Sequence, residues 1–163
     1  MNLKIILATE IILLCLCLLG CGKNEPNGIP SLQPCSITVM LDDAPLPEAT
    51  VLFKPTQDGG ISASGITDNN GKALMKIQAT YDGVPKGKYK VMIVKQKRER
   101  NPAVKDEDVN GQPGSVPMNL AMKMYIVTDF VDPKFGNAST PLEITIQEGK
   151  NEQTFNVTKP PKK

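Results

Sequence analysis

The fold of this chain is decided by one stretch, residues 36–53, which reads SITVMLDDAPLPEATVLF. Apolar residues alternate with polar ones on both sides of a turn rich in Asp and Pro. A period of two, with the apolar residues on a single face, is typical of half-buried antiparallel strands. The stretch therefore predicts two strands whose inward residues are Ile37, Val39, Leu41, Ala49, Val51 and Phe53.

The same alternation continues downstream and is interrupted by turn signals. Residues 67–72 read TDNNGK, which predicts a tight turn with Asn70 and Gly71 at positive φ. Further inward residues are Ala73, Met75, Ile77, Tyr89, Val91, Ile93, Leu142, Ile144, Ile146, Phe155 and Val157. Seven short strands without a helical period predict an all-β fold. We expect a seven-stranded antiparallel Greek-key sandwich of the prealbumin-like or Ig-like type.

The regular pattern lapses between Gln96 and Thr128, so residues 96–128 are predicted to form one long irregular insert. Within the insert, residues 117–127 alternate as a strand would, but their composition suits a short helix equally well. Both interpretations stay open. Long connections inside compact domains are usually functional, so the insert is the first candidate for a contact surface.

The beginning of the chain has the organisation of a bacterial lipoprotein leader. Its apolar core ends in Leu18-Leu19-Gly20-Cys21 and is far shorter than the ~20 apolar residues that span a bilayer. We predict a signal peptide over residues 1–20, cleavage after Gly20 and lipidation of Cys21. An ordinary cleaved leader without a lipid is the alternative.

Four segments follow from these patterns. After the leader, residues 21–35 are predicted to be the lipidated cysteine and a flexible tether, because they are rich in Gly, Pro and Asn. Residues 36–158 form the sandwich, and residues 159–163 form a basic tail. With Cys15 and Cys17 removed and Cys21 acylated, Cys35 is the only cysteine left in the domain. It is either a buried small apolar residue or a free thiol, and we expect burial.

Composition excludes several classes of function. The chain has no histidine, so it lacks the commonest general base, the commonest zinc ligand and any Ser-His or Cys-His pair. A formal net charge of +2 predicts no nucleic-acid partner. The acidic groups Asp42-Asp43, residues 106–108 and Glu148 fall in predicted turns or polar loops. We expect no enzyme, no cofactor and no metal.

Three polar or aromatic positions have a plain structural interpretation. Asp68, Asn70 and Gly71 supply too few oxygens for a calcium loop and predict a hairpin turn. Tyr89 is expected in the core with its hydroxyl bonded to backbone, although an exposed tyrosine is able to stack on a ligand. Lys54 is expected on the outward face by alternation.

Three segments, in this order, resemble a known domain family: residues 45–55 (PLPEATVLFKP), 64–71 (SGITDNNG) and 87–93 (GKYKVMI). They are similar to the strand signatures of carboxypeptidase regulatory-like domains, which are transthyretin-like or prealbumin-like sandwiches. Ala73 and the long insert depart from that pattern. The resemblance implies an accessory, binding or structural domain. This chain lacks the histidines of the peptidase zinc site and of hydroxyisourate hydrolases.

These observations predict a non-catalytic cell-envelope lipoprotein on the periplasmic or outer-membrane face. Its partners are expected to be the membrane, through the lipid anchor on Cys21, and an unknown envelope protein or glycan. The alternative function is a carbohydrate-binding module on the same fold, which requires an exposed aromatic groove. A hydrolase that uses carboxylates alone is the third hypothesis.

Overall fold

The computed structural model describes residues 28–104 and 123–162. The chain divides into two compact units, Met1–Pro30 and Ser31–Lys163, and every strand below belongs to the second. The predicted leader, Gly20, Cys21 and residues 22–27 of the tether lie outside the described residues, as do residues 105–122. None of the described residues belongs to a helix that is long and apolar enough to cross a membrane.

The described residues contain fourteen strands and one 3-10 helix, Pro133–Phe135. The strands are β1 (Leu32–Gln33), β2 (Cys35–Leu41), β3 (Ala44–Pro45), β4 (Thr50–Pro55), β5 (Ala63–Ile66), β6 (Lys72–Leu74), β7 (Lys76–Ile77), β8 (Tyr81–Asp82), β9 (Val84–Pro85), β10 (Gly87–Val94), β11 (Gln96–Arg100), β12 (Tyr125–Asp129), β13 (Glu143–Ile146) and β14 (Asn151–Val157). The all-β prediction is confirmed. The predicted seven-stranded Greek-key arrangement is not confirmed, because the two-residue strands β1, β3, β8 and β9 and the pair β11–β12 add to the expected segments. One expected segment, residues 73–77, is also divided between β6 and β7.

The larger sheet has six antiparallel strands in the order β13-β10-β4-β5-β7-β8. One face of it is buried, as the period of two predicts. The buried residues on this face are Val51, Phe53, Ala63, Ile77, Tyr89, Val91, Ile93, Ile144 and Ile146. The other face carries Lys54, which is exposed as predicted.

The second sheet is built on β2. Strand β14 pairs with one edge of β2, while β3 and β6 share its other edge. The β14–β2 pair is parallel, from Asn151 beside Cys35 to Val157 beside Leu41, so the predicted fully antiparallel arrangement was wrong here. The reason is that the turn after β13 carries the chain from the first sheet to the second instead of closing a hairpin.

Met75 marks the place where one strand changes sheets. Strand β7 pairs with β5 in the larger sheet, whereas β6, just before it, pairs with β2. The Met75 amide donates to the Cys35 carbonyl oxygen at 2.9 Å, which fixes the change of partner. At this crossing a Cβ added to Gly65 would lie 2.7 Å from the Leu74 carbonyl oxygen, so glycine permits the close approach.

The buried core matches the predicted inward set closely and is consistent with a β-sandwich. Leu41 and Leu142 are half-buried, and the remaining predicted inward residues are buried. At the turn after β5, Gly71 has φ of +74° as predicted, but Asn70 does not have a positive φ. Asp68 closes this turn instead, because its carboxylate accepts the amides of Asn70 and Lys72, each at 2.9 Å.

Two predicted boundaries differ from the structure. The folded region begins before Ser36, since β1 pairs with β9 and Gln33 is buried with its side-chain oxygen accepting the Gly149 amide at 2.8 Å. The predicted irregular insert, 96–128, is regular at both ends, because β11 and β12 pair as an antiparallel ribbon. The strand interpretation therefore holds for the part of residues 117–127 that begins at Tyr125, and residues 117–122 lie outside the described part.

Candidate functional site

Strands β11 and β12 form a two-stranded ribbon, residues 96–100 and 125–129, which pairs with no other described strand. Its register runs from Gln96 opposite Asp129 to Arg100 opposite Tyr125. Every residue of the ribbon is exposed except Asp129, which is half-buried. Both faces and both edges of the ribbon are therefore accessible along most of its length.

The base of the ribbon is fixed to the sandwich by Lys95, the residue between β10 and β11. Its ammonium donates to the Pro47 carbonyl oxygen at 2.7 Å and lies 3.7 Å from the Glu48 carboxylate. The same ammonium lies 5.7 Å from the centre of the Phe130 ring. Because the Lys95 side chain is only 19 % exposed, these contacts order the point at which the ribbon leaves the sheet.

The far end of the ribbon is held by Asn101. Its amide donates to the Met124 carbonyl oxygen at 2.8 Å, which extends the ladder beyond β11. Its side-chain nitrogen donates to the Lys123 carbonyl oxygen at 2.9 Å, and its side-chain oxygen accepts the Ala103 amide at 3.0 Å. The ribbon thus has defined geometry at both ends of its described part.

Three consecutive apolar side chains of β12 face solvent. Tyr125, Ile126 and Val127 are each between 44 % and 48 % exposed. By strand alternation Tyr125 and Val127 lie on one face and Ile126 on the other. The Arg98 guanidinium lies 4.8 Å from the centre of the Tyr125 ring, a cation–π distance. Both faces of the ribbon therefore combine apolar and charged groups.

The polar groups of the ribbon mostly pair within it. Lys97 lies 2.8 Å from Glu99 along β11, and the Gln96 amide donates to the Asp129 carboxylate at 2.7 Å. Exposed pairs of this kind contribute little to stability. The ribbon has three cationic residues and two acidic ones, so its surface is amphipathic with a small positive excess.

The aromatic residues do not form a common platform in the described part of the chain. Tyr125 lies at the far end of the ribbon, whereas Phe130 follows β12 at its base beside Lys95, about 17 Å away along an extended chain. Tyr89 is buried and its hydroxyl donates to the Pro85 carbonyl oxygen at 3.0 Å, which confirms the prediction of a core tyrosine. Burial raises the pKa of Tyr89, and the nearby Cys35 adds to the increase.

Cys35 is buried, as predicted, and its thiol is free. Removal from water penalises the thiolate and raises the pKa of Cys35 to about 11. A thiol in this state is a poor nucleophile at neutral pH, since only the thiolate reacts. Its environment is that of a small apolar core residue.

The predicted acidic groups lie in separate turns. Asp42 and Asp43 occupy the turn between β2 and β3, with φ of +48° and +66°, and Lys159 lies 3.0 Å from Asp42. Glu148 lies in the turn before β14, where a hydrogen bond from Lys86 at 3.0 Å lowers its pKa. The parallel β2–β14 pair places these turns at opposite ends of the strands, about 20 Å apart. Residues 106–108 lie outside the described part.

Residues 67–72 form the predicted tight turn, closed by the hydrogen bonds of Asp68. The turn does not close a hairpin, because β5 pairs with β7 while β6, directly after the turn, pairs with β2. In the described ranges, no group of three or more Asp, Glu, Cys or His side chains is placed to hold a metal ion. The ribbon was missed by the sequence analysis, although one signal for it was present. Residues 125–128 read YIVT, a run of aromatic and β-branched residues that favours a strand over a helix.

Comparison with known proteins adds little to this description. No protein-family profile matches the chain, and no curated protein is detectably similar to it. Among solved structures, it is similar to a 9R-lipoxygenase from Cyanothece PCC8801, with a TM-score of 0.36 and 13% identity. The match covers 91% of this chain and 20% of that protein, so the chain spans about a fifth of its length. A likeness this weak indicates neither fold nor activity.

Proposed function

We propose that this protein is a non-catalytic interaction module of the bacterial cell envelope, tethered by a lipid on Cys21, which binds a protein partner through the β11–β12 ribbon. The anchor is supported by the Leu18-Leu19-Gly20-Cys21 motif, and the envelope setting by the resemblance to carboxypeptidase regulatory-like domains. The exposed run Tyr125-Ile126-Val127 is the observation that carries the binding role.

The ribbon is an unusual element for a protein that acts alone. An isolated pair of strands is marginally stable in water, and a third strand or a packed face normally supports it. Here β12 pairs with no described strand other than β11, and its three apolar residues remain 44–48 % exposed. Contiguous exposed apolar side chains rimmed by charges mark interaction sites. A partner that covers one face or adds a strand to an edge supplies the missing support.

The carbohydrate-binding alternative has less support. Sugar recognition of the stacking type uses exposed aromatic rings on one surface, whereas Tyr125 lies at the far end of the ribbon and Phe130 beyond its base, about 17 Å apart along an extended chain.

The anchor is tested by metabolic labelling with a palmitate analogue. We expect the wild-type chain to be labelled and Cys21→Ser to remain unlabelled, because the thiol of Cys21 is the acyl acceptor. Equal labelling of both chains removes the anchor from the proposal.

The ribbon is tested by photo-crosslinking in intact cells of the native host. A photoreactive phenylalanine analogue replaces Val127, and the matched control places it at Lys54, which is exposed on the sandwich. We expect one discrete crosslinked protein from position 127 that is absent at position 54. We also expect Ile126→Glu to abolish co-purification of that protein. The same crosslinks at both positions, or co-purification that survives Ile126→Glu, contradict the proposal.

A further inference from the structure

A second surface lies away from the ribbon. A shallow groove of about 580 Å³ opens on the outer side of the larger sheet. It lies where the chain passes from β6 in the second sheet to β7 in the larger sheet. Its apolar walls are Leu52, Ile66, Leu74 and Ala79. Its charged lining residues are Lys72, Lys76 and Asp68.

The three large apolar residues of the walls come from three different strands. Leu52 on β4 lies opposite Ser64, and Ile66 follows two residues later on the outer face of β5. Leu74 on β6 faces them from the strand that has changed sheets. Leu52 is 37 % exposed, while Ile66 and Leu74 are 69 % and 63 % exposed. Three large aliphatic side chains are thus gathered at one exposed site.

The lysines stand on either side of Leu74. Residues 72–76 alternate in burial, with Ala73 and Met75 in the core, so Lys72, Leu74 and Lys76 point outward together. Alternate residues of an extended chain are about 7 Å apart, so the two lysines are separated by roughly 13 Å with Leu74 between them. One wall of the groove therefore presents a cationic, an apolar and a second cationic group in a row.

Both lysines form exposed ion pairs, which a ligand is able to replace at little cost in free energy. Lys72 lies 3.5 Å from Glu152, and Lys76 lies 2.8 Å from Asp82, and all four side chains are substantially exposed. Exposed ion pairs contribute little net free energy. A ligand carboxylate is able to replace these partners on the solvent side.

Asp68, whose carboxylate accepts two backbone amides of its own turn, supplies one negative charge against the two lysines, so the lining has a formal excess of one positive charge. The charge of the surrounding surface has the same sign as the lysines of the groove. By alternation, the outward residues of the six-stranded sheet include four lysines and two acids: Lys54, Lys76, Lys88, Lys90, Asp82 and Glu143. The groove and its approach are therefore complementary to an anionic ligand.

We propose that this groove binds an extended peptide segment of a partner protein in which an aliphatic residue is flanked, two positions before and after, by acidic residues. An extended peptide repeats its side-chain direction every second residue, as residues 72–76 do. Its aliphatic side chain enters between Leu52, Ile66 and Leu74, while its two carboxylates meet Lys72 and Lys76. A ligand with a single carboxylate uses only half of this arrangement. The proposal does not depend on the ribbon or on the lipid anchor.

The test uses the full chain and NMR titration with the peptide acetyl-Ser-Glu-Thr-Leu-Thr-Glu-Ser-amide. We expect amide shifts on β4, β5 and β6, and none on β11 or β12. The variant carrying Lys72→Gln and Lys76→Gln should bind about fivefold more weakly, because two exposed charge pairs are lost. The matched control carries Lys54→Gln and Lys88→Gln, which removes two charges from the same face outside the groove, and should bind as the wild type does. Circular dichroism checks that both variants are folded.

Further probes separate the peptide from other ligands. A peptide with lysines in place of its glutamates, and one with serine in place of its leucine, should bind more weakly than the first peptide. Added salt should weaken binding, since exposed charges are screened within about 8 Å at physiological ionic strength. The proposal is overturned if the acidic peptide does not bind, if both double variants bind it equally, or if the shifts fall on the ribbon. It is also overturned if dodecanoate, a fatty acid, binds between Leu52, Ile66 and Leu74 and the acidic peptide does not.

Discussion

Strands β10 and β11 are consecutive pieces of one extended chain, yet they have opposite environments. Strand β10 has β4 on one side and β13 on the other, and its inward residues Tyr89, Val91 and Ile93 are buried. Strand β11 begins after Lys95, pairs with β12 alone among the described strands, and is exposed at every residue. The same backbone conformation therefore serves as core in one place and as surface in the next.

This difference indicates that the sandwich provides the stability of the molecule, while the ribbon provides the proposed binding surface. Strand β10 alternates apolar and polar residues, so burial of its inner face stabilises the sandwich. Strand β11 has no apolar residue, and its partner β12 has three in a row. A consecutive apolar run cannot direct all its side chains to one face. At least one of them faces solvent or a partner whichever way the ribbon turns.

The largest expected difference in unfolding free energy comes from removing one aromatic ring from each region. Phe53 is 1 % exposed and its ring centre lies 5.7 Å from that of Tyr89. Phe53→Ala should lower the free energy of unfolding by about 3–5 kcal/mol, because it removes buried apolar surface and leaves a cavity. Tyr125→Ala on the ribbon should lower it by less than about 1 kcal/mol. Urea unfolding measures both, and equal losses contradict the distinction between the two regions.

A second contrast concerns buried polar groups, which the sandwich satisfies internally. The Thr67 hydroxyl donates to the Leu46 carbonyl oxygen at 2.6 Å and accepts the Ala49 amide at 2.7 Å. Thr67→Val leaves both groups without a partner and should destabilise the fold by about 2–3 kcal/mol. Thr67→Ser keeps the hydroxyl and should retain most of that stability. A valine variant as stable as the serine variant contradicts this prediction.

The buried thiol makes the stability of the sandwich depend on pH. Burial raises the pKa of Cys35 from 9.0 to about 11, so below pH 9 the thiol is neutral in both folded and unfolded chains. Above pH 9 the unfolded chain ionises first, and the fold loses stability until the pH passes the folded pKa. The loss should be on the order of 2 kcal/mol by pH 11. It is measured as the difference in unfolding free energy between wild type and Cys35→Ala from pH 8 to pH 11, and a difference independent of pH rules it out.

The smallest effect is expected on the ribbon itself. The double change Ile126→Ser and Val127→Ser should alter the free energy of unfolding by no more than about 0.5 kcal/mol, because both side chains are already exposed. The same variant should lose the proposed partner in a pull-down. A loss of unfolding free energy comparable to that of Phe53→Ala means that the ribbon belongs to the core, and it contradicts the division between a stabilising sandwich and a binding ribbon.

Much of the fold could be predicted from the sequence, because alternation is a local property. Ile37, Val39, Val51 and Phe53 are buried as predicted, and the turn at Gly71 has the expected positive φ. The predicted positive φ of Asn70 was wrong. The Asp68 side chain closes that turn, so the turn contains only one residue with a positive φ, Gly71.

The candidate site could be predicted only in part. The insert 96–128 was expected as the contact surface, but its paired ends were not. Cationic Gln96–Arg100 has no apolar alternation, so pattern alone cannot reveal that it pairs with Tyr125–Asp129. The groove at Leu74 escaped detection entirely. It arises because β6 and β7 take different neighbours, a fact that no local window of sequence contains.

Local sequence specifies which side chains turn inward and where the chain reverses, since the two-residue period and the Gly, Asp and Pro turns act over a few residues. The choice of neighbouring strands comes from long-range packing. That packing placed β14 parallel to β2, moved the chain between sheets at Met75, and left β11 and β12 to pair alone. The physical reason is that strand pairing joins segments distant in sequence, and any extended backbone offers the same hydrogen bonds to many partners.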